Sequence, residues 1–382
     1  MTSQKISWLI VFVCYISYAY VVTCIGPVLS ALSKEFALTP DFMGIIANFS
    51  SVGALIALLG GWIANRHNKV SIIAASVAAL ATSCLGLWLS PNPLIVAISL
   101  LIMGGMTGFM EPAINAYVSD LYPQKRGASV TLLHIGWNIG STFGPLFSAL
   151  IIATIAGWRQ VYLFPLPVLL ILLVLLVKLR KKERENPSVI NHPFTTIRSS
   201  LKVLPIVSIA IFDVGVEMGI STWLPFILEN QGSTVYEAGL TAGLFWGFMG
   251  FGRLVWASVI ERLGYVRTIM ASTCMVLPCM LGATLLNSLL HKMVLWIVSG
   301  FLLSPVFPAI IAWGISVEPK SASTITGLTV TLGAVGQFAS IFLIGLVAAV
   351  FGVAKAQYVF AFLILVIIID LLSLRKTYKV KN

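Results

Sequence analysis

The chain has 382 residues, of which 58% are hydrophobic and 10% charged, and it carries a net charge of +11. A water-soluble domain carries roughly a quarter charged residues, so the composition excludes an ordinary soluble fold. The positive excess does not point to nucleic acid, because most Lys and Arg fall in short loops on one predicted side of a membrane.

Nearly every window of about 20 residues is apolar enough to span hydrocarbon. Backbone polar groups must pair internally there, so the spans are expected to be helices. The long Leu, Ile, Val, Ala and Gly runs do not alternate as barrel strands would. The pattern predicts spans near 7–32, 42–64, 70–90, 93–119, 128–155, 158–179, 203–229, 237–260, 266–288, 292–317, 322–350 and 355–374. The first is too long for the apolar region of a cleavable signal, and further spans follow it.

Twelve spans place both termini on the same side. Loops and tails there hold Lys5, Arg66, Lys69, Lys125, Arg126, the run from Lys178 to Lys202, Arg262, Arg267, Lys320, Arg375, Lys376, Lys379 and Lys381. The opposite loops hold only Lys34, Arg159, Lys292 and Lys355. This bias predicts cytoplasmic termini, and the loop-poor build suggests a bacterial inner membrane. All five cysteines lie inside predicted spans without metal-ligand spacing, so no metal site is expected. No Walker loop, HExxH or GxSxG occurs, so neither an ATP-driven pump nor an enzyme is indicated, and no cofactor is expected.

The longest polar stretch, 180–202, lies between spans six and seven and is expected to be a cytoplasmic linker attracted to anionic lipid. It separates two related halves, 1–179 and 203–382. Shifting the first by 196 residues places Gly104 on Gly300, Pro112 on Pro308, Gly140 on Gly336 and Arg66 on Arg262. The expected architecture is an all-α membrane protein with twelve transmembrane helices in two pseudo-symmetric six-helix bundles. A solute cavity would lie between them.

Ionisable groups inside spans cost roughly 2.5–3.5 kcal/mol each on insertion scales, so each needs a reason. Glu111 and Asn115 share one face of span four, and His134 and Asn138 share one face of span five. Their 196-shifted counterparts are Phe307, Ile311, Val330 and Ala334, so the scaffold does not require polarity at these places. The group either carries protons, with Glu111 as acceptor and His134 as its neighbour, or binds the first bundle together through hydrogen bonds. Asp213 and Glu217 form another i,i+4 pair on span seven, with Arg253 at the depth of Asp213 on span eight. The expectation is an Asp213–Arg253 ion pair, the alternative being an arginine that snorkels to the surface. Glu217 would then be left to bind hydroxyls or protons. Asp120 and Glu261, at helix ends near Arg66, Arg126 and Arg262, are candidates for gating pairs or solvated end charges.

Trp223 and Trp246 are the aromatics most suited to stack on a substrate ring, although most membrane aromatics pack or anchor. Gln337, a lone polar residue on span eleven, is a further candidate contact or a packing residue. The ladder Gly136, Gly140, Gly144 on span five lets helices approach closely.

The segment GWIANRHNKV at 61–70 resembles the cytoplasmic loop motif GxLaDRxGRK of the major facilitator superfamily. Arg66 matches its arginine, whereas Asn65 and Asn68 replace its aspartate and second glycine. The second copy keeps Glu261, Arg262 and Gly264. Within the superfamily the chain resembles the fucose–proton symporters and their glucose-transporter relatives. The motifs are EPAIN at 111–115, TLLHIGWNIGSTFGP at 131–145, DVGVEMGISTWLPF at 213–226, AGLFWGFMGFGRL at 242–254 and SPVFPAII at 304–311. The resemblance implies the major facilitator fold, with Glu111 in proton coupling and sugar binding and Asn115 beside it. A fucose permease pairs that glutamate with a span-one aspartate; span one here offers only Tyr15, Ser17, Tyr18, Tyr20 and Thr23.

The expected function is proton-coupled uptake of a sugar or similar small polar solute by a monomeric secondary transporter, with protons or sodium as the coupling ion. The alternative is proton-driven export of drugs or amphipathic metabolites. Glu111 and His134 would handle the proton, and Asn115, Asn138, Glu217, Trp223, Trp246 and Gln337 the solute.

Overall fold

The computed structural model describes residues 3–55, 60, 63–64, 66–122, 124, 126–155, 157–185, 201–318 and 322–377, and every regular element among them is helical. In chain order these are α1 (Ser3–Thr23), α2 (Ile25–Phe36), α3 (Pro40–Phe49), α4 (Val52–Leu55), α5 (Lys69–Leu89), α6 (Pro93–Leu121), α7 (Arg126–Ile155), α8 (Arg159–Leu163) and α9 (Leu166–Glu185). There follow α10 (Leu204–Val207), α11 (Ile209–Asn230), α12 (Val235–Leu263), α13 (Tyr265–Leu285), α14 (Leu289–Leu303), α15 (Val306–Val317), α16 (Ala322–Phe351), α17 (Val353–Ala356) and α18 (Tyr358–Thr377).

Among the described residues, 11 stretches are long and apolar enough to cross a membrane. The expected span near 42–64 begins with α3 and α4 and then passes partly outside the described residues. Of the expected linker, residues 186–200 also lie outside them, and α9 carries helix through Glu185.

Several expected spans are broken helices, and three of the breaks lie beside a proline. The first divides at Cys24, three residues before Pro27, and the sixth at Phe164–Pro165. The tenth divides at Ser304–Pro305. Proline lacks an N–H and its ring collides with the carbonyl four residues back, which opens the ladder there. Other boundaries are capped by side chains. Asn92 accepts from the Ile95 amide at 3.1 Å, with Pro93 in the first turn of α6. Thr234 and Glu237 form a reciprocal capping box on α12. Asn68, which departs from the loop motif, accepts from the Ser71 amide at 2.8 Å and so caps α5.

The buried apolar residues gather into two main clusters. One runs from Val11 to Leu179; the other runs from Ile206 to Leu371 and also takes Leu29, Met43 and Ala47 from the first half. Outside them, Leu94, Ile171, Val177, Phe362 and Ile369 stand exposed. A side chain of this size left in water forgoes about 1.5–3 kcal/mol, which a hydrocarbon surround restores.

The 196-residue repeat is visible in the packing. A Cβ on Gly104 would collide with the carbonyls of Phe49 and Ser50, and one on Gly300 with the carbonyl of Phe245. Gly140 is pressed likewise against the backbone of Ile16, and Gly336 against that of Ile211. Each glycine lets two helix backbones touch where any side chain would hold them apart.

The halves meet on the side away from the termini. Gly26 lies against Ser221 and Pro225, and Gly44 against Gly345 and the Ile341 carbonyl. Gly239 lies against Pro145 and Ala149. On the same side Lys34 Nζ lies 3.0 Å from Glu229 Oε2, to which Ser30 also donates at 2.8 Å.

Candidate functional site

Polar side chains that interrupt the apolar spans meet inside the first half, and one further contact, Gln337 to Ser51, joins the two halves. On α1, Tyr15 donates from its hydroxyl to Glu111 Oε1 on α6 at 3.2 Å. The same hydroxyl lies 3.4 Å from Nδ1 of His134 on α7, and the two rings meet edge to face with centroids 5.6 Å apart. Glu111 and His134 are thus linked through one phenol rather than directly. A hydroxyl both donates and accepts, so the chain Glu111–Tyr15–His134 offers a continuous path for a proton.

Asn138, one turn beyond His134, donates to the His134 carbonyl at 3.2 Å, and its buried Oδ1 has no partner. Asn115 likewise keeps a buried Oδ1 without a partner. The Gln337 amide donates across the seam to Ser51 at 3.0 Å.

The aromatic residues divide by role. Trp223 is fully buried, its indole N–H donates to the Ile341 carbonyl at 3.1 Å, and its ring lies against Gly44 and Gly345. It is therefore a wedge between α3, α11 and α16. Trp246 is also fully buried and donates to Ser221 at 3.1 Å. The ring left partly open is Trp137, which the expectations did not single out. It packs against both main clusters and lies 5.2 Å from Tyr18, 5.8 Å from Tyr15 and 6.3 Å from Trp246. Its position three residues after His134 was the available signal.

The expected Asp213–Arg253 ion pair is not formed. Neither Asp213 oxygen has a hydrogen-bond partner, and no nitrogen of Arg253 comes within bridging distance of it. Arg253 Nη2 turns instead to the Met249 sulfur at 3.8 Å, and its buried Nε has no partner. Gly250 of α12 packs on Asn138 of α7, and Arg253 follows about one turn further along, its guanidinium folded back over Met249 of its own helix rather than extended toward α11. Its charge is felt at Tyr15, His134, Asp213 and Glu217. Glu217 is buried and its Oε1 is unpartnered.

The candidate gating residues lie apart from this group. Asp120 pairs with Lys69 at 3.0 Å within the first half. Arg66, Glu261 and Arg262 are exposed, and Glu261 and Arg262 make no ion pair among the described residues. The ion pairs that the sequence did not announce are on the opposite side: Lys34–Glu229 across the halves, and Arg159–Glu35 at 2.7 Å beside Trp158.

A bundle of membrane-length helices that repeats after 196 residues and holds ionisable side chains inside its spans has the build of a transporter. The chain belongs to the Major Facilitator Superfamily, whose family model matches residues 11–341. It is 25% identical over 292 residues to a gentisate transporter of Corynebacterium glutamicum, covering 70% of this chain and 63% of that one. It is 21% identical over 355 residues to a TsgA homolog of an Enterobacter strain, covering 90% and 88%. Among solved structures, a bacterial homolog of the human lysosomal transporter Spinster superposes with a TM-score of 0.82 at 14% identity, covering 99% and 98%.

Proposed function

We propose that this chain takes up a small polar solute together with protons, through a bacterial inner membrane, with both termini in the cytoplasm. Residues 1–179 and 203–382 would act as two bodies that rock about a site at their seam. The observation that carries this reading is the Glu111–Tyr15–His134 connection. Its counterparts in the second half include Phe307 and Val330, so polarity here serves the solute or the proton rather than the scaffold. The solute class includes the sugars implied by the resemblance and hydroxylated organic acids such as the one for which the Corynebacterium relative is named. Asn115 and Asn138 hold acceptor oxygens with no protein partner, which suits a solute rich in hydroxyls.

The test uses purified protein in liposomes loaded with a pH-sensitive dye. Wild type should acidify the interior when its solute is added outside. Glu111→Gln should lose acidification while still exchanging labelled solute across the bilayer. Acidification of the mutant at the wild-type rate would remove Glu111 from the coupling path.

A further inference from the structure

We propose that Arg253 is the receptor for a carboxylate on the transported solute, and that the solute is a small hydroxylated aromatic acid. The proposal rests on the transport function just given and names the solute of that same site. A guanidinium presents five donors in a rigid fork suited to a carboxylate. The Arg253 guanidinium meets one thioether, a weak acceptor, at 3.8 Å, and its buried Nε has no partner. A structural ion pair would have joined it to Asp213 or Glu217. Both acids lie within its field, yet Asp213 is left with two unpartnered oxygens and Glu217 with one.

The ring and the hydroxyls have places as well. Gly250 of α12 packs on Asn138, the residue that follows Trp137 on α7, and Arg253 comes one turn after Gly250 while Trp246, which Trp137 meets, comes one turn before it. Trp137 is the partly open member of a cluster with Tyr15, Tyr18 and Trp246, a surface on which an aromatic ring can stack offset or edge-on. The free oxygens of Asn115 and Asn138 would accept from ring hydroxyls.

The surrounding charges tie such an anion to protons. The charge of Arg253 acts on Tyr15 of α1, His134 of α7, and Asp213 and Glu217 of α11, with Glu111 bonded to Tyr15. An anion enters a site with three carboxyls and one cation only when protons neutralise the acids. Anion and proton then move together.

The test is uptake of labelled 4-hydroxybenzoate and 2,5-dihydroxybenzoate by the reconstituted full chain, against neutral 4-hydroxybenzamide and D-glucose. Each variant is checked for monodispersity and for a hydroxybenzoate-dependent thermal shift. Wild type should accumulate the two acids and neither neutral compound. Arg253→Lys should raise KM about tenfold or more, because an ammonium cannot reproduce the fork. Arg253→Gln should remain monodisperse and lose both uptake and thermal shift. Equal transport of the amide and the acid would overturn the proposal, as would wild-type uptake by Arg253→Gln. If glucose alone drives acidification, the solute class fails while proton-coupled transport stands. If the acids accumulate through Arg253 without proton movement, the coupling reading fails and the carboxylate receptor stands.

Discussion

The hydroxyl of Tyr15 donates to Glu111 at 3.2 Å and lies 3.4 Å from His134, so one atom of the first helix links the two ionisable side chains of the first half. Tyr15→Phe removes that atom and little else from a fully packed position. A hydrogen bond to a charged group contributes about 1.5–3 kcal/mol, and about 1.4 kcal/mol is tenfold. Solute-driven acidification should fall roughly 10- to 100-fold in this variant. Counterflow of solute, which needs no net proton movement, should be largely kept. Parallel loss of both in a folded protein would assign Tyr15 to packing.

Glu229 joins the halves on the side away from the termini through Ser30 and Lys34. Lys34 is 69% exposed, so after screening the pair contributes at most about 1 kcal/mol. Glu229→Gln should therefore shift the balance between closed and open arrangements of this side by no more than about fivefold. Spin labels at Phe36 and Gln231 would read the change as a longer distance population. An unchanged distribution would show that the glycine contacts alone hold this side closed.

Gly336 and Gly105 provide a matched pair. A Cβ at position 336 would collide with the Ile211 carbonyl, whereas one at position 105 has nothing within 4 Å. Gly336→Ala should destabilise by about 1–3 kcal/mol as the α11–α16 contact is forced apart. Gly105→Ala should be neutral or stabilising, since alanine favours a helix interior by up to about 1 kcal/mol. Thermal melting of both proteins in one detergent decides the matter, and equal melting points would contradict the close approach.

Asn68→Ala should remove the cap on α5 at a local cost of about 1 kcal/mol. Amide exchange at residues 69–72 should accelerate by about fivefold. Unaltered exchange would mean that the first turn is held by its neighbours instead.

Much of this arrangement could be read from the chain. Hydrophobic windows located the 11 spans found among the described residues, and the shift of 196 residues that aligns Gly104 with Gly300 reappears as two equivalent backbone contacts. What a sequence does not specify is the rotation of one helix against another. The i,i+4 rule put Asp213 and Glu217 on one face but could not say that the Arg253 guanidinium would fold over Met249 of its own helix. For the same reason the sequence does not distinguish Trp223, which is buried in a helix junction, from Trp137, which stays partly open. Tyr15 was one of several polar groups on the first span, and only its neighbours distinguish it. Pro27, Pro165 and Pro305 stand at breaks while Pro112, Pro145, Pro225 and Pro278 lie inside continuous helices, so a proline in a hydropathy window does not by itself announce a break.

Among the described residues, Trp137 and Leu38 pack against both main clusters. Any reorientation of the halves must alter the polarity and quenching around its indole. The molecule thus carries an optical reporter of its own working cycle. With the nine other tryptophans of the chain replaced by phenylalanine, its emission would follow each turnover in real time without an attached dye.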